Sequence, residues 1–139
     1  MDKALHDTVL GIAEDVRFWA EGKAEHGLEN LKGWCAKASA ELFRLLCKEG
    51  IESEIHLWIH KSYKKPRAAH VFLVVDDHVV DVTATQFEEF SNTPVLIMHH
   101  REAEVYEFYQ TVKTFKSIPE LIAEQKKTRW PTHHQVEEE

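Results

Sequence analysis

Cysteine is scarce in this chain: Cys35 and Cys47 are the only two in 139 residues. That excludes a disulfide framework. Nor do the two bridge each other if the segment between them is helical. Twelve residues at about 1.5 Å rise place them about 18 Å apart, and a disulfide holds its Cα atoms within about 7 Å. Two free thiols fit a reducing compartment. Long apolar runs are missing as well, and nothing approaches the roughly 18 residues of a membrane span. The opening "MDKALHDTVLGIAEDVRF" lacks the basic-then-apolar order of a signal peptide, so a cytoplasmic protein is expected. Cations are in the minority, with 17 Lys and Arg against 24 Asp and Glu and a net charge of −7. Phosphate backbones are bound by clustered Lys and Arg, so neither nucleic acid nor membrane is expected as a partner. There is no His-Glu-x-x-His and no Cys-x-x-Cys. The pairs His99–His100 and His133–His134 are adjacent, and strand neighbours point to opposite faces. His56 and His60 flank Trp58 without a third ligand in sight. No metal and no other cofactor is expected.

What is present is ordinary folded-protein material: 43% apolar and 29% charged residues. The length predicts one domain over 1–139, ending in an acidic, solvated tail at about 135–139. Leu5, Val9, Ile12, Ala13, Val16 and Trp19/Ala20 recur at helical spacing, so a helix is expected over about 3–21, ended by Gly22 and Gly27. The helical period returns from Cys35 through Ala38, Leu42, Leu45 and Leu46. Lys48 suits that helix's negative end and Gly50 its C′ position. In "IESEIHLWIH" the period becomes two, with Ile55, Leu57 and Ile59 on one face, the mark of a strand. The loop "KSYKKPRAA" follows. "HVFLVV" and "VVDVT" flank "DDH" as a hairpin. "PVLIMHH" is read as a further strand, and "EVYEFYQTV" as strand or helix, with strand preferred. Ser117 with Glu120 opens a last helix at about 118–127. The order predicts an α+β fold, with N-terminal helices packed on an antiparallel β-sheet.

Counting places two polar residues together. If Asp76 and Asp77 form a two-residue turn, Val75 faces His78 and Phe72 faces Asp81. His70, two positions from Phe72, then shares a sheet face with Asp81 as its diagonal neighbour. A loop of three residues would send them to opposite faces. Cys35, just after Gly33 and Trp34, stands where a helix begins. A helix N-terminus and a nearby imidazolium both favour a thiolate. A histidine can take the thiol proton and later protonate a leaving group, and a carboxylate behind it fixes the ring.

Cys35, His70 and Asp81, in this order, resemble the transglutaminase-like superfamily of papain-type Cys-His-Asp enzymes. The matching pieces are "GWCAKASAELFRLLCKEGI", "AHVFLVV" and "VDVTATQF", over about residues 31–90. The family pattern often has an aromatic directly after the cysteine and after the histidine. Here Ala36 follows Cys35, and Val71 separates His70 from Phe72. The resemblance implies a papain-like core and acyl transfer through a thioester. Cys35 would be the nucleophile, His70 the proton carrier and Asp81 the residue that orients it, acting on a protein, peptide or small amide substrate. Hydrolysis of an amide bond, as by a peptidase or deamidase, is the leading expectation. Transfer to an amine is the alternative, and a catalytically inactive binding module of the same fold is another. Asn30 is the candidate upstream oxyanion donor. Trp34 either lines a cleft or packs on the sheet, and Gln86 either orients the site or holds the following loop.

Each of these residues also has a plain packing role. Cys35 can be core, because free Cys is among the most buried residue types. Cys47, after Leu45 and Leu46, reads as structural. His70 can be a half-buried strand histidine, and Thr83 merely a good strand former. "SYKKPRAA" is either a solvated loop or a basic rim favouring an acidic substrate. "TRWPTHH" either docks back on the domain or meets a partner.

Overall fold

The computed structural model describes residues 1–24, 31–60, 69–128 and 134–138. Their order is α1 (Lys3–Lys23), α2 (Cys35–Lys48), β1 (Glu54–Ile59), β2 (Ala69–Val75), β3 (His78–Asp81), β4 (Leu96–His99), α3 (His100–Ala103), β5 (Lys113–Phe115) and α4 (Ile118–Thr128). The strands form one antiparallel sheet in the order β4-β3-β2-β1-β5. The fold is α+β. No helix among the described residues is long and apolar enough to cross a membrane.

In α1, Val9, Ala13, Val16 and Ala20 are buried at spacings of three and four, so the apolar stripe faces inward. Asp2 caps the start, accepting from the Leu5 amide at 2.8 Å. Gly22 does not end the helix as expected. It lies inside the last turn, where the side chain it lacks would meet no atom within 4 Å. Helix α2 runs over the expected residues. Gly50 takes φ +71°, the Gly50 amide donates to the Cys47 carbonyl at 3.0 Å, and that of Ile51 to Leu46 at 2.9 Å. This is a Schellman end, which leaves few carbonyls orphaned. Cys47 is exposed on this helix, not packed as expected, because the inward stripe passes through Leu42 and Leu46 instead.

The sheet is covered on both faces. Ile55, Leu57, Val71, Leu73, Val75, Val80 and Val82 pack with α1, α2 and α4. Phe72, Val79, Leu96 and Tyr109 pack with Ala84, Phe90 and Ala103 in a smaller second core. Double burial explains why β2 reads as a continuous apolar run. "EVYEFYQTV" is not a strand. It holds a single 3-10 turn at Glu107–Tyr109, and pairing with β1 begins at Lys113. Its aromatic residues are used in packing rather than in a ladder: Phe108 stacks on Phe87 at 3.7 Å between ring centroids. Tyr109 meets Phe72 edge-on at 5.0 Å. Tertiary packing overrides the strand preference of aromatics.

Residues 134–138, at the acidic tail, are docked on the domain, and all but Val136 keep solvated side chains. Val136 is buried, its amide donates to Gln125 Oε1 at 2.8 Å, and Arg44 holds the Glu137 carbonyl. The His134 amide donates to Gly33 O at 2.9 Å, which ties the tail to the entrance of α2. The rest of the "RWPTH" cluster and residues 61–68 of the basic loop lie outside the described residues.

That entrance is tightly constrained. Leu31 has φ +52° and Gly33 φ +85°, so the chain reverses sharply before Trp34. A side chain at Gly33 would sit in a region that costs L-residues roughly 1–2 kcal/mol. Gly33→Ala is therefore expected to lower stability by about 1–2 kcal/mol in urea unfolding, with m unchanged.

Candidate active site

The hairpin has the expected geometry. Val75 pairs with His78 and Leu73 with Val80, so the turn is Asp76–Asp77, with φ +47° and +59°. Positive φ at both positions is the primed turn that suits a twisted ribbon. His70 and Asp81 consequently share a face and meet: His70 Nε2 lies 2.7 Å from Asp81 Oδ2. Both are about 1% exposed.

Cys35 is the first residue of α2. Four positions on, Ser39 donates to the Val71 carbonyl at 3.1 Å, which anchors the first turns of α2 beside the start of β2. The Cys35 thiol interacts with the His70 ring and, after Asp81, helps to raise it. With Nε2 given to Asp81, the nitrogen left for the thiol is Nδ1. The three residues expected to act together are therefore brought together, in the order thiol, imidazole, carboxylate.

The Asp-x-Thr spacing has a physical purpose. Thr83 turns back and gives Asp81 Oδ1 two donors, its amide at 2.8 Å and its hydroxyl at 3.1 Å. Thr83 lies beyond the end of β3, so it is not the strand residue of the packing reading. Asp81 Oδ2 receives a second donor, the Tyr109 hydroxyl at 2.6 Å. A buried carboxylate is costly unless its lone pairs are filled, and here both oxygens are. Arg17 stands behind. Its guanidinium donates to Val82 O at 3.1 Å and Thr85 Oγ1 at 2.7 Å, and it feels the Asp81 charge after burial and Glu21.

These partners set the charges. Burial alone would depress the His70 imidazolium, but Asp81, followed by Cys35, outweighs it, and the ring is raised to about 9. Burial alone would raise the Asp81 carboxyl. His70, then Tyr109 and the Thr83 amide, hold it below its usual range instead. Tyr109 is pushed up by burial and by the Asp81 charge, so its phenol remains a donor.

Gln86 is also at the site. It ends the short 3-10 helix Ala84–Gln86, and its Nε2 lies 3.0 Å from His70 Nδ1 and 3.2 Å from Thr83 O. Trp34 is buried just before Cys35, edge-on to Trp19 at 6.1 Å and against the His134 ring at 4.6 Å. Its Nε1 finds no hydrogen-bond partner among the described residues. Helix α2 has no side-chain cap on its first turn. Asn30 lies outside the described residues. No family model, curated protein or solved structure matches this chain.

Sequence reasoning missed Tyr109. It sits in the segment misread as a strand, and nothing near it in sequence signals a carboxylate partner 28 positions away. Cys47 is a poor rival for Cys35. It borders a groove of about 710 Å³ whose described lining includes Glu52, Glu54, Asp76 and Asp77 but no histidine. Among the described residues no group of three or more His, Cys, Asp or Glu is placed to hold a metal ion.

Tyr109→Phe tests the carboxylate's surroundings. Losing a donor to a buried charge costs roughly 1.5–3 kcal/mol. A depressed carboxyl contributes stability that is present above its unfolded value and lost as pH falls through the folded one. The gap between wild type and Tyr109→Phe in denaturant unfolding should accordingly be widest above about pH 4 and narrow in more acidic solution.

Proposed function

We propose that this protein is a thiol-dependent acyl-transfer enzyme of transglutaminase-like type, hydrolysing an amide or related acyl bond. The observation that carries the reading is the buried relay from Cys35 through His70 to Asp81. A lone buried cysteine is commonplace, whereas a cysteine that interacts with a carboxylate-held imidazole is the arrangement nucleophilic catalysis needs. The likeness to the family core rests on the same parts: a cysteine at a helix start, and a histidine and an aspartate from adjacent antiparallel strands.

The steps follow from the geometry. The Cys35 proton moves to His70 Nδ1 and the sulfur attacks the carbonyl carbon. Asp81, on Nε2, keeps the ring oriented and supports its positive charge. The tetrahedral oxyanion would be met by the Cys35 backbone N–H at the start of α2, which has no side-chain cap, with the Trp34 indole N–H, which has no partner among the described residues, one residue along the chain as a second donor. His70 then returns the proton to the departing amine, leaving a thioester. Water, activated by the same ring, releases the acid. An amine taking the place of water would make the enzyme a transferase.

The burial of Cys35, which has no exposed surface, favours a second reading: a binding module in which the relay is a satisfied polar core. Reactivity separates the two. An enzyme must admit a substrate to the sulfur, so Cys35 should be alkylated by iodoacetamide at pH 6–7 faster than the exposed Cys47, and His70→Ala should abolish that preference. Peptide mapping after limited labelling reads both sites at once. Slow labelling of Cys35, with or without His70, would favour the binding module.

A further inference from the structure

The Nδ1 atom of His70 has two suitors. One is the Cys35 thiol. The other is Gln86, whose Nε2 lies 3.0 Å away. The same amide nitrogen is 3.2 Å from the Thr83 carbonyl and 3.5 Å from its hydroxyl. A carbonyl oxygen can only accept, so the Gln86 amide presents its NH2 end here, and its oxygen faces elsewhere. An N–H can donate to Nδ1 only while that nitrogen keeps its lone pair. Gln86 therefore occupies the lone pair that must receive the thiol proton.

We propose that Gln86 is a positioning residue that holds His70 unprotonated at Nδ1 and must withdraw before Cys35 can become a thiolate. The inference rests on the thiol–imidazole relay described above. Among the described residues, the titratable and charged groups facing the ring are Cys35 from α2, Asp81 from β3 and Tyr109 from the 3-10 turn at Glu107–Tyr109. Arg17 from α1 lies on the carboxylate side. Asp81 and Cys35 favour the imidazolium and raise the ring, whereas the Gln86 contact at Nδ1 belongs to the neutral ring and opposes them. The proton step is then an exchange. The S–H bond breaks and an Nδ1–H bond forms, while the amide's hydrogen bond to Nδ1 is given up. No proton leaves the site. The freed amide N–H becomes available to the carbonyl oxygen of a bound substrate. A substrate that takes this donor shifts the pair toward thiolate and imidazolium, so reactivity rises when the site is filled.

The test is the pH dependence of Cys35 alkylation by iodoacetamide in the full chain, with folding checked by circular dichroism. Gln86→Met keeps length without a donor, and Gln86→Leu is a second choice should the first fail to fold. Each should move the midpoint to lower pH by about half to one unit, the worth of one neutral hydrogen bond. A midpoint that stays or rises in a folded variant overturns the proposal. In wild type, the Gln86 side-chain amide resonances should titrate with the His70 ring, and indifference to that titration also overturns it. His70→Ala tells the two readings apart. If it leaves the Cys35 midpoint where it was, the relay itself fails. If it moves the midpoint while the Gln86 variants do not, only the role of Gln86 fails.

Discussion

The register of one hairpin governs what this molecule can do. With Asp76 and Asp77 as the turn, the pairing of Val75 with His78 sets the parity of every residue on β2 and β3. Side chains alternate across a strand, so a slip of a single residue would carry Asp81 to the helical face and leave His70 facing the smaller core alone. Register is strongly specified when both faces are buried, and here they are. Val71, Leu73 and Val80 belong to one core, Phe72 and Val79 to the other. The hydrophobic effect thus pins, residue by residue, the position of two polar groups that gain nothing from it directly.

The second core exists largely around those polar groups. Without the layer of Ala84, Phe90, Ala103 and Tyr109, His70 and Asp81 would stand on a solvated sheet face. Their pairing would be screened and weak. Enclosed, each unmet donor or acceptor becomes expensive, so the network has to be complete. The Thr83 amide and hydroxyl, the Tyr109 phenol and the His70 ring together fill both oxygens of Asp81. Buried polar networks of this kind specify one arrangement, because any other leaves a charge unpaired.

The approach to the thiol has its own constraint. Leu31 and Gly33 reverse the chain, Trp34 packs between Trp19 and the His134 ring, and the His134 amide is tied to Gly33. First and last parts of the chain therefore meet at the start of α2. A closed surrounding strengthens the electrostatics of a thiol–imidazole pair, and Cys35 has no exposed surface.

Periodicity made much of this legible. Leu42 and Leu46 at helical spacing, Ile55 and Leu57 at strand spacing, and Asp-Asp between apolar runs each state a local preference that the fold keeps. Counting from the turn was enough to put His70 beside Asp81, because alternation along a strand is a covalent property of the backbone. Tyr109 was beyond such reasoning. So were the direction of the Gln86 amide, the exposure of Cys47 and the docking of Val136. Each depends on which surfaces meet after the chain has collapsed. Aromatic residues that fit a strand are equally good packing material, and burial decided their use. The sequence by itself determined the elements and the parity of the hairpin, since both arise from neighbours along the chain. Only the tertiary structure decided which donors surround the carboxylate and the ring, since those contacts join segments tens of residues apart and follow from packing.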